Sequence, residues 1–288
     1  MNRLPALFSF LFALNFVFGT SASFAQDADN IRVNQEGQMQ ILTTKSGSEI
    51  IGRITAIGDE NITFTTDVGV LIIKVVQIKS VQAVPLSAFH GGVYWPPDYN
   101  ISRHYFGPTG INLKEGTGYY QNIYLLFNGF SYGLTDRLTI GAGTFLLPGA
   151  VEDQPYFMTA KIGIGPTGKE TFAIGALAFA AGGESFGILF GAATIGSGDR
   201  NLTLGIGYGY NNSDLAETPT VMVAFERRLS RRMKFISENY KLPGVHGALV
   251  SYGFRFFGEK LAIDLAFINF TPHPFWPGVP YVDFVFNF

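Results

Sequence analysis

The chain has no cysteine, so neither a disulfide nor a lipid anchor on a leading Cys is available, and packing and backbone pairing must hold the fold. It has little net charge, −2 at pH 7, and no basic run, which argues against nucleic acid as a partner. It also has no apolar run, beyond its first residues, that reads as a membrane helix. The strongest window, "TFAIGALAFAAGGESFGILFGAATIG", is broken by Gly182-Gly183-Glu184-Ser185, which reads as a turn between two strands. Histidine is scarce as well. His90, His104, His246 and His273 lie far apart without zinc-ligand spacing, so no metal and no cofactor is expected.

What is abundant is glycine, 35 residues, alongside 47% hydrophobic and 15% aromatic content. That mixture suits neither helices nor a close-packed soluble core. Residues 1–25 have the three-part layout of a secretory signal peptide: Arg3, an apolar run from Leu4 to Phe18, then Ser23-Phe24-Ala25. The mature chain is therefore expected outside the cytoplasm.

Residues 26–36 read as a polar linker, and 37–84 as a module of four or five short strands separated by tight turns, as in a small β-barrel. Its "TKSG" turn, "GRI" and "TTDVG" leading into "IIK" resemble SH3-like or LSm-like modules. Residues 85–100, with Pro96-Pro97, read as a second linker. From 101 to 288 the period is two throughout. In "NLTLGIGYGY" Leu204 and Ile206 alternate with Thr203, Gly205 and Gly207; in "LAIDLAF" Leu261, Ile263 and Leu265 oppose Asp264.

A soluble barrel fills its interior with large side chains. Here glycine, hydroxyls and charge mark one face and large apolar residues the other. The pattern fits when the apolar face meets lipid and the polar face meets the lumen. Because backbone groups in a bilayer must all be paired, such a sheet has to close. Strands are expected near 102–112, 119–133, 137–147, 155–165, 171–181, 186–195, 201–211, 219–229, 233–241, 247–257, 261–270 and 279–288. That is an all-β fold, an antiparallel transmembrane β-barrel of about twelve strands following an SH3-like module.

The stretch "SRHYFGPTGINLKEGTGYYQNIYLLFNGFSYGLTDRLTIGAG" resembles the first hairpins of an uncharacterised family of Gram-negative outer-membrane β-barrel proteins with a small N-terminal β-module. The closing "PYVDFVFNF", with Val282, Phe284, Phe286 and Phe288 on one face, resembles the terminal strand signal read by the outer-membrane insertion machinery. The resemblance implies outer-membrane lipid and that machinery as partners. It implies a location in the cell outer membrane, with 26–100 in the periplasm and a possible periplasmic ligand on 37–84.

"GIGPTGKET" matches a dinucleotide fingerprint and nearly a P-loop, but a strand-like segment follows where both motifs need a helix, so it reads as a hairpin turn. Ser237, Glu238 and His246 could be combined into a hydrolase site, although nothing in the sequence fixes their geometry. Charges at lumen parity are more informative: Arg103, Lys161, Glu226, Arg228, Glu238, Arg255, Asp264 and Asp283. Four basic and four acidic groups are expected to pair across a narrow interior rather than form a selectivity filter. The functional classes are a narrow passive pore for small solutes, a structural or adaptor barrel anchoring the module, and, third, an outer-membrane hydrolase.

Overall fold

The computed structural model describes residues 31–146, 154–165, 168–212, 214–258 and 260–288. The leader read over 1–25, and linker residues 26–30, lie outside the described residues. The chain divides into two compact units between Val93 and Tyr94.

The first unit is a five-stranded antiparallel sheet. Its strands are β1 (Gln38–Thr44), β2 (Glu49–Ile57), β3 (Asn61–Thr66), β4 (Gly69–Lys74) and β5 (Ile78–Pro85), in the order β4-β3-β2-β1-β5. A single 3₁₀ turn, Val75–Gln77, precedes β5. Alternate residues Leu42, Ile54, Ile62, Phe64, Ile73 and Ile78 meet in one buried core. Each such side chain contributes roughly 1.5–3 kcal/mol on leaving water. A short ladder, β6 (Phe89–His90) with β7 (Val93–Tyr94), occupies part of the segment read as a linker.

The second unit is a closed antiparallel barrel. Its walls are β8 (Gly118–Ile123), β9 (Phe127–Thr135), β10 (Leu138–Phe145), β11 (Tyr156–Ile164), β12 (Glu170–Ala181), β13 (Glu184–Gly196) and β14 (Arg200–Asn211). They continue, after the two-residue β15 (Asp214–Leu215) that folds back on β14, with β16 (Thr220–Ser230), β17 (Met233–Lys241), β18 (Leu249–Phe257), β19 (Leu261–Phe270) and β20 (Val279–Asn287). Closure is made by β20 against β8, where Gly118 and Phe288 exchange backbone bonds of 2.8 and 2.9 Å. No wall edge is left over its full length, as a hydrocarbon surrounding requires.

Side chains are distributed inside out. On β14, Leu202, Leu204 and Ile206 are 42%, 52% and 49% exposed, whereas Asn201 and Thr203 are 2% and 0% exposed. On β20, Phe286 and Phe288 lie on the exposed face, while Tyr281, Asp283 and Val285 are buried inside. Val282 and Phe284 share the outward parity of Phe286.

The wall has the expected twelve strands, reached through two sequence misreadings that cancel. Residues 102–112 are not a wall strand, and 119–133 is two strands. "YLLF" hides a hairpin: Leu126 N–H bonds to Ile123 O at 3.0 Å, across Tyr124 (φ 54°) and Leu125 (φ 64°). Left-handed turns normally announce themselves by Gly, Asn or Asp, and none stands here. The segment "LKEGTG" therefore lies at the chain-terminal end of the barrel, leading into β8.

Candidate functional site in the barrel lumen

Residues 98–113 lie inside the barrel. Asp98, Asn100, Ser102, Arg103, His104, Tyr105, Thr109 and Leu113 are all buried. The segment turns back on itself, with His104 N–H bonding Gly107 O at 2.9 Å and Thr109 N–H bonding Ser102 O at 3.1 Å. Asp98 and Asn100 thus belong to the barrel unit and not to a linker. The sequence reason is local. Neither Ser102-His104-Phe106 nor Arg103-Tyr105-Gly107 offers an apolar row for lipid, and Pro108 interrupts a ladder.

The walls hold this plug through charge. Strand register places Asp283 opposite Asp264, Asp264 opposite Arg255, Arg255 opposite Lys234, and Lys234 opposite Arg228, in a row across β20 to β16. Two carboxylates directly opposed repel each other. Arg103 of the plug relieves this, its guanidinium lying 3.3 Å from each of the two carboxylates. Arg255 grips Asp264 with two bonds, Nε to Oδ1 at 2.6 Å and Nη2 to Oδ2 at 2.9 Å. It also donates to the plug carbonyls of Asn100 and His104 at 3.0 and 2.6 Å. Lys234 bridges Asp98 at 2.5 Å and Glu226 at 3.0 Å, and Glu226 meets His104 Nδ1 at 2.8 Å.

Other wall groups also bind plug backbone. Glu238 accepts from the N–H groups of Tyr105, Phe106 and Gly107 at 2.5, 3.2 and 3.0 Å, and from Tyr240 Oη at 2.6 Å. From the opposite side, Lys161 Nζ donates to the carbonyls of Ser102, Thr109 and Ile111 at 2.7, 3.2 and 2.6 Å. Arg228 pairs with Asp199 at 2.9 Å and lies over the rings of Trp95 and Phe257, each at 5.0 Å.

All eight charges chosen by parity are buried in this interior, but their arrangement differs from a simple pairing across the barrel. Arg103 is on the plug, Lys161 is bonded to carbonyls alone, and much of the pairing runs through the plug. Lys234, Asp98 and His104 were missed. Lys234 shares parity with Glu238 in "MKFISENYK" and was legible; the other two were hidden by reading 85–100 as linker and 102–112 as wall. Ser237 and Glu238 are neighbours on β17 and point to opposite faces of the wall, so they do not converge on one site. The glycine motif joins β11 to β12, strand to strand. Among the described residues no group of three or more His, Asp and Glu side chains could hold a metal ion.

Beside the plug the lumen keeps the expected glycines and hydroxyls, Gly129, Ser131, Thr139 and Thr159 among them, and adds aromatic rings that the sequence reading did not foresee. Beside the plug is a cavity of about 550 Å³ lined by Phe127, Phe145, Phe157, Phe179, Phe190 and the plug's Phe106. Phe127 stacks on Phe157 at 4.7 Å and meets Phe145 edge-on at 4.8 Å. The inward glycines serve these rings. A Cβ on Gly143 would lie 2.4 Å from the Phe157 ring, and one on Gly175 would lie 2.4 Å from the Phe190 ring.

No protein-family model matches the chain. No curated protein matches it. Among solved structures it is similar to OmpT, an outer membrane protein of Vibrio cholerae. Its loop L8 deletion mutant aligns at 10% identity over 87% of this chain and 96% of that one, with a TM-score of 0.33. The outer-membrane-expressed form aligns at 9% identity over 89% and 98%, with a TM-score of 0.30. The barrel's own closure and its outward apolar face, rather than this likeness, establish the fold.

Proposed function

We propose that the chain is a non-enzymatic outer-membrane β-barrel, closed by its own residues 98–113, that anchors the module 37–84 on the periplasmic side. The observation that carries this reading is the plug. Nine buried charged wall and plug groups (Asp98, Arg103, Lys161, Glu226, Lys234, Glu238, Arg255, Asp264 and Asp283) are engaged in holding it, which an open passive pore would not need. The outward apolar face supports a membrane location, and the outward row Val282, Phe284, Phe286 and Phe288 supports recognition by the insertion machinery. The strand order of the module and its 3₁₀ turn before the last strand support an SH3-like reading, with a periplasmic ligand as its partner.

A second reading, a narrow pore for small solutes, is favoured by the cavity beside the plug. Planar-bilayer recording separates the two. The full chain should insert, shift its migration on a detergent gel when boiled, and show no steady conductance. A steady open level in the unmodified chain would overturn the closed-barrel reading. Recovery in the soluble periplasmic fraction, with no heat shift, would overturn the barrel's membrane location.

A further inference from the structure

The wall is incomplete above β8. This strand has six residues and ends at Ile123, while β20 runs on past their last pair, Asp283 with Ile123, to Val279. On its other edge that stretch is paired with β19; on the edge toward β8 it is met by the turn residue Tyr124. Its N–H donates to Val282 O at 3.2 Å, and its hydroxyl donates to Pro280 O. Alternation puts the backbone of residue 280 on the same edge as that of Val282. Pro280 has no N–H there to leave unpaired, and its carbonyl is satisfied, as a lipid-facing edge requires.

This notch adjoins the cavity, whose lining includes Ile123, Tyr124, Leu126 and Phe127. Its rim is apolar on the outside too: Leu125 is 73% exposed at a left-handed backbone position that glycine or asparagine would fill more easily. Among the described residues that line the cavity, both charges are engaged. Lys161 is used on three carbonyls, and Arg103 lies between two carboxylates. A volume of about 550 Å³ falls within the usual size of a small-molecule site, roughly 300–1,000 Å³.

We propose that notch and cavity form a binding site for one linear hydrocarbon chain, which slips in sideways from the bilayer past Tyr124 and lies against Phe127, Phe157 and Phe179. The inference rests on the reading that the barrel spans a bilayer. The cavity's lining reaches the notch at Ile123, Tyr124 and Leu126, and Tyr124 and Leu126 are 44% and 41% exposed, which sets the direction of approach. The chain belongs either to a free fatty acid or to a membrane phospholipid.

The test uses the full protein, refolded into amphipol, and two probes: cis-parinaric acid, a linear fluorescent fatty acid, and a phosphatidylcholine carrying the same chain. At least one should bind saturably, one chain per barrel; which one identifies the source. Thr159→Trp and Ser131→Phe, at inward positions lining the cavity, should each weaken binding roughly tenfold or more, while outward Leu204→Trp leaves it unchanged. Palmitate should displace the probe and acetate should not, a measurement that needs no variant. A heat-shifting barrel that binds neither probe saturably, that keeps full affinity in folded filler variants, or that palmitate fails to clear overturns the proposal. Loss of the heat shift in the unmodified chain is a different result and counts against the spanning barrel itself.

Discussion

Glu238 shows at one residue how the interior is held. Its carboxylate takes three consecutive plug N–H groups and the Tyr240 hydroxyl, so removing it strands four donors at once, those of Tyr105 and Gly107 buried. Breaking such a buried charged contact on one side costs about 3–5 kcal/mol. Glu238→Ala should therefore convert to the unfolded gel band at a markedly lower temperature, and Glu238→Gln, which keeps an acceptor oxygen, should lie between it and the parent. An unchanged transition in Glu238→Ala would mean that the plug is not fastened there. A second residue-level test contrasts the two faces of β14. Leu204→Arg puts charge against lipid and should cost roughly 2–4 kcal/mol near the bilayer midplane. Thr203→Arg is not a silent control, because Thr203 is fully buried with its hydroxyl 2.7 Å from that of Thr194. Both variants should assemble poorly in membranes, but only Leu204→Arg should recover in detergent micelles, whose thin, deformable collar lets the long arginine stem carry its charge to water.

At the level of the strand, legibility follows the period of two. β14 and β20 were readable because a one-residue slip would turn every apolar side chain inward, so their pattern admits one register. Cysteine scanning reads this out directly in a chain with no native cysteine. A lipid-soluble thiol reagent should label positions 202, 204 and 206 and spare 201, 203 and 205; no period, or the opposite one, would contradict the register. Two things resisted reading for physical reasons. The turn at Tyr124-Leu125 carries none of the residues that ease positive φ, so the hairpin had no local marker. The plug has no period because its side chains and backbone contact the lumen on all sides: Arg103 toward β19 and β20, Tyr105 toward β17, and the Ser102 carbonyl toward β11. The inner aromatics escaped as well. Phe157 and Phe190 sit at lumen parity but take their room from glycines on neighbouring strands, a pairing that register reveals and a single strand does not.

On the scale of the whole barrel, the plug and the wall are separately balanced, and that sets what would follow from parting them. The plug brings Asp98 and Arg103, one charge of each sign, besides His104. The wall brings Lys161, Arg228, Lys234 and Arg255 against Glu226, Glu238, Asp264 and Asp283. Replacing residues 98–113 by a flexible Gly/Ser segment of equal length should open the lumen and give a steady conductance that the parent lacks. It should also lower the temperature of the heat shift, since Asp264, Asp283 and Glu226 each lose a plug partner. With four wall charges of each sign, the opened channel should select weakly between cations and anions, so its reversal potential in a salt gradient should stay close to zero. The carboxylates and cations do alternate in blocks around the wall, Asp283 and Asp264 followed by Arg255, Lys234 and Arg228, so both kinds of ion find a favourable side. A plug-replaced barrel that stays silent would show that the walls collapse or that another segment closes the lumen. One that is strongly selective would show that the wall charges, once released from the plug, do not compensate one another.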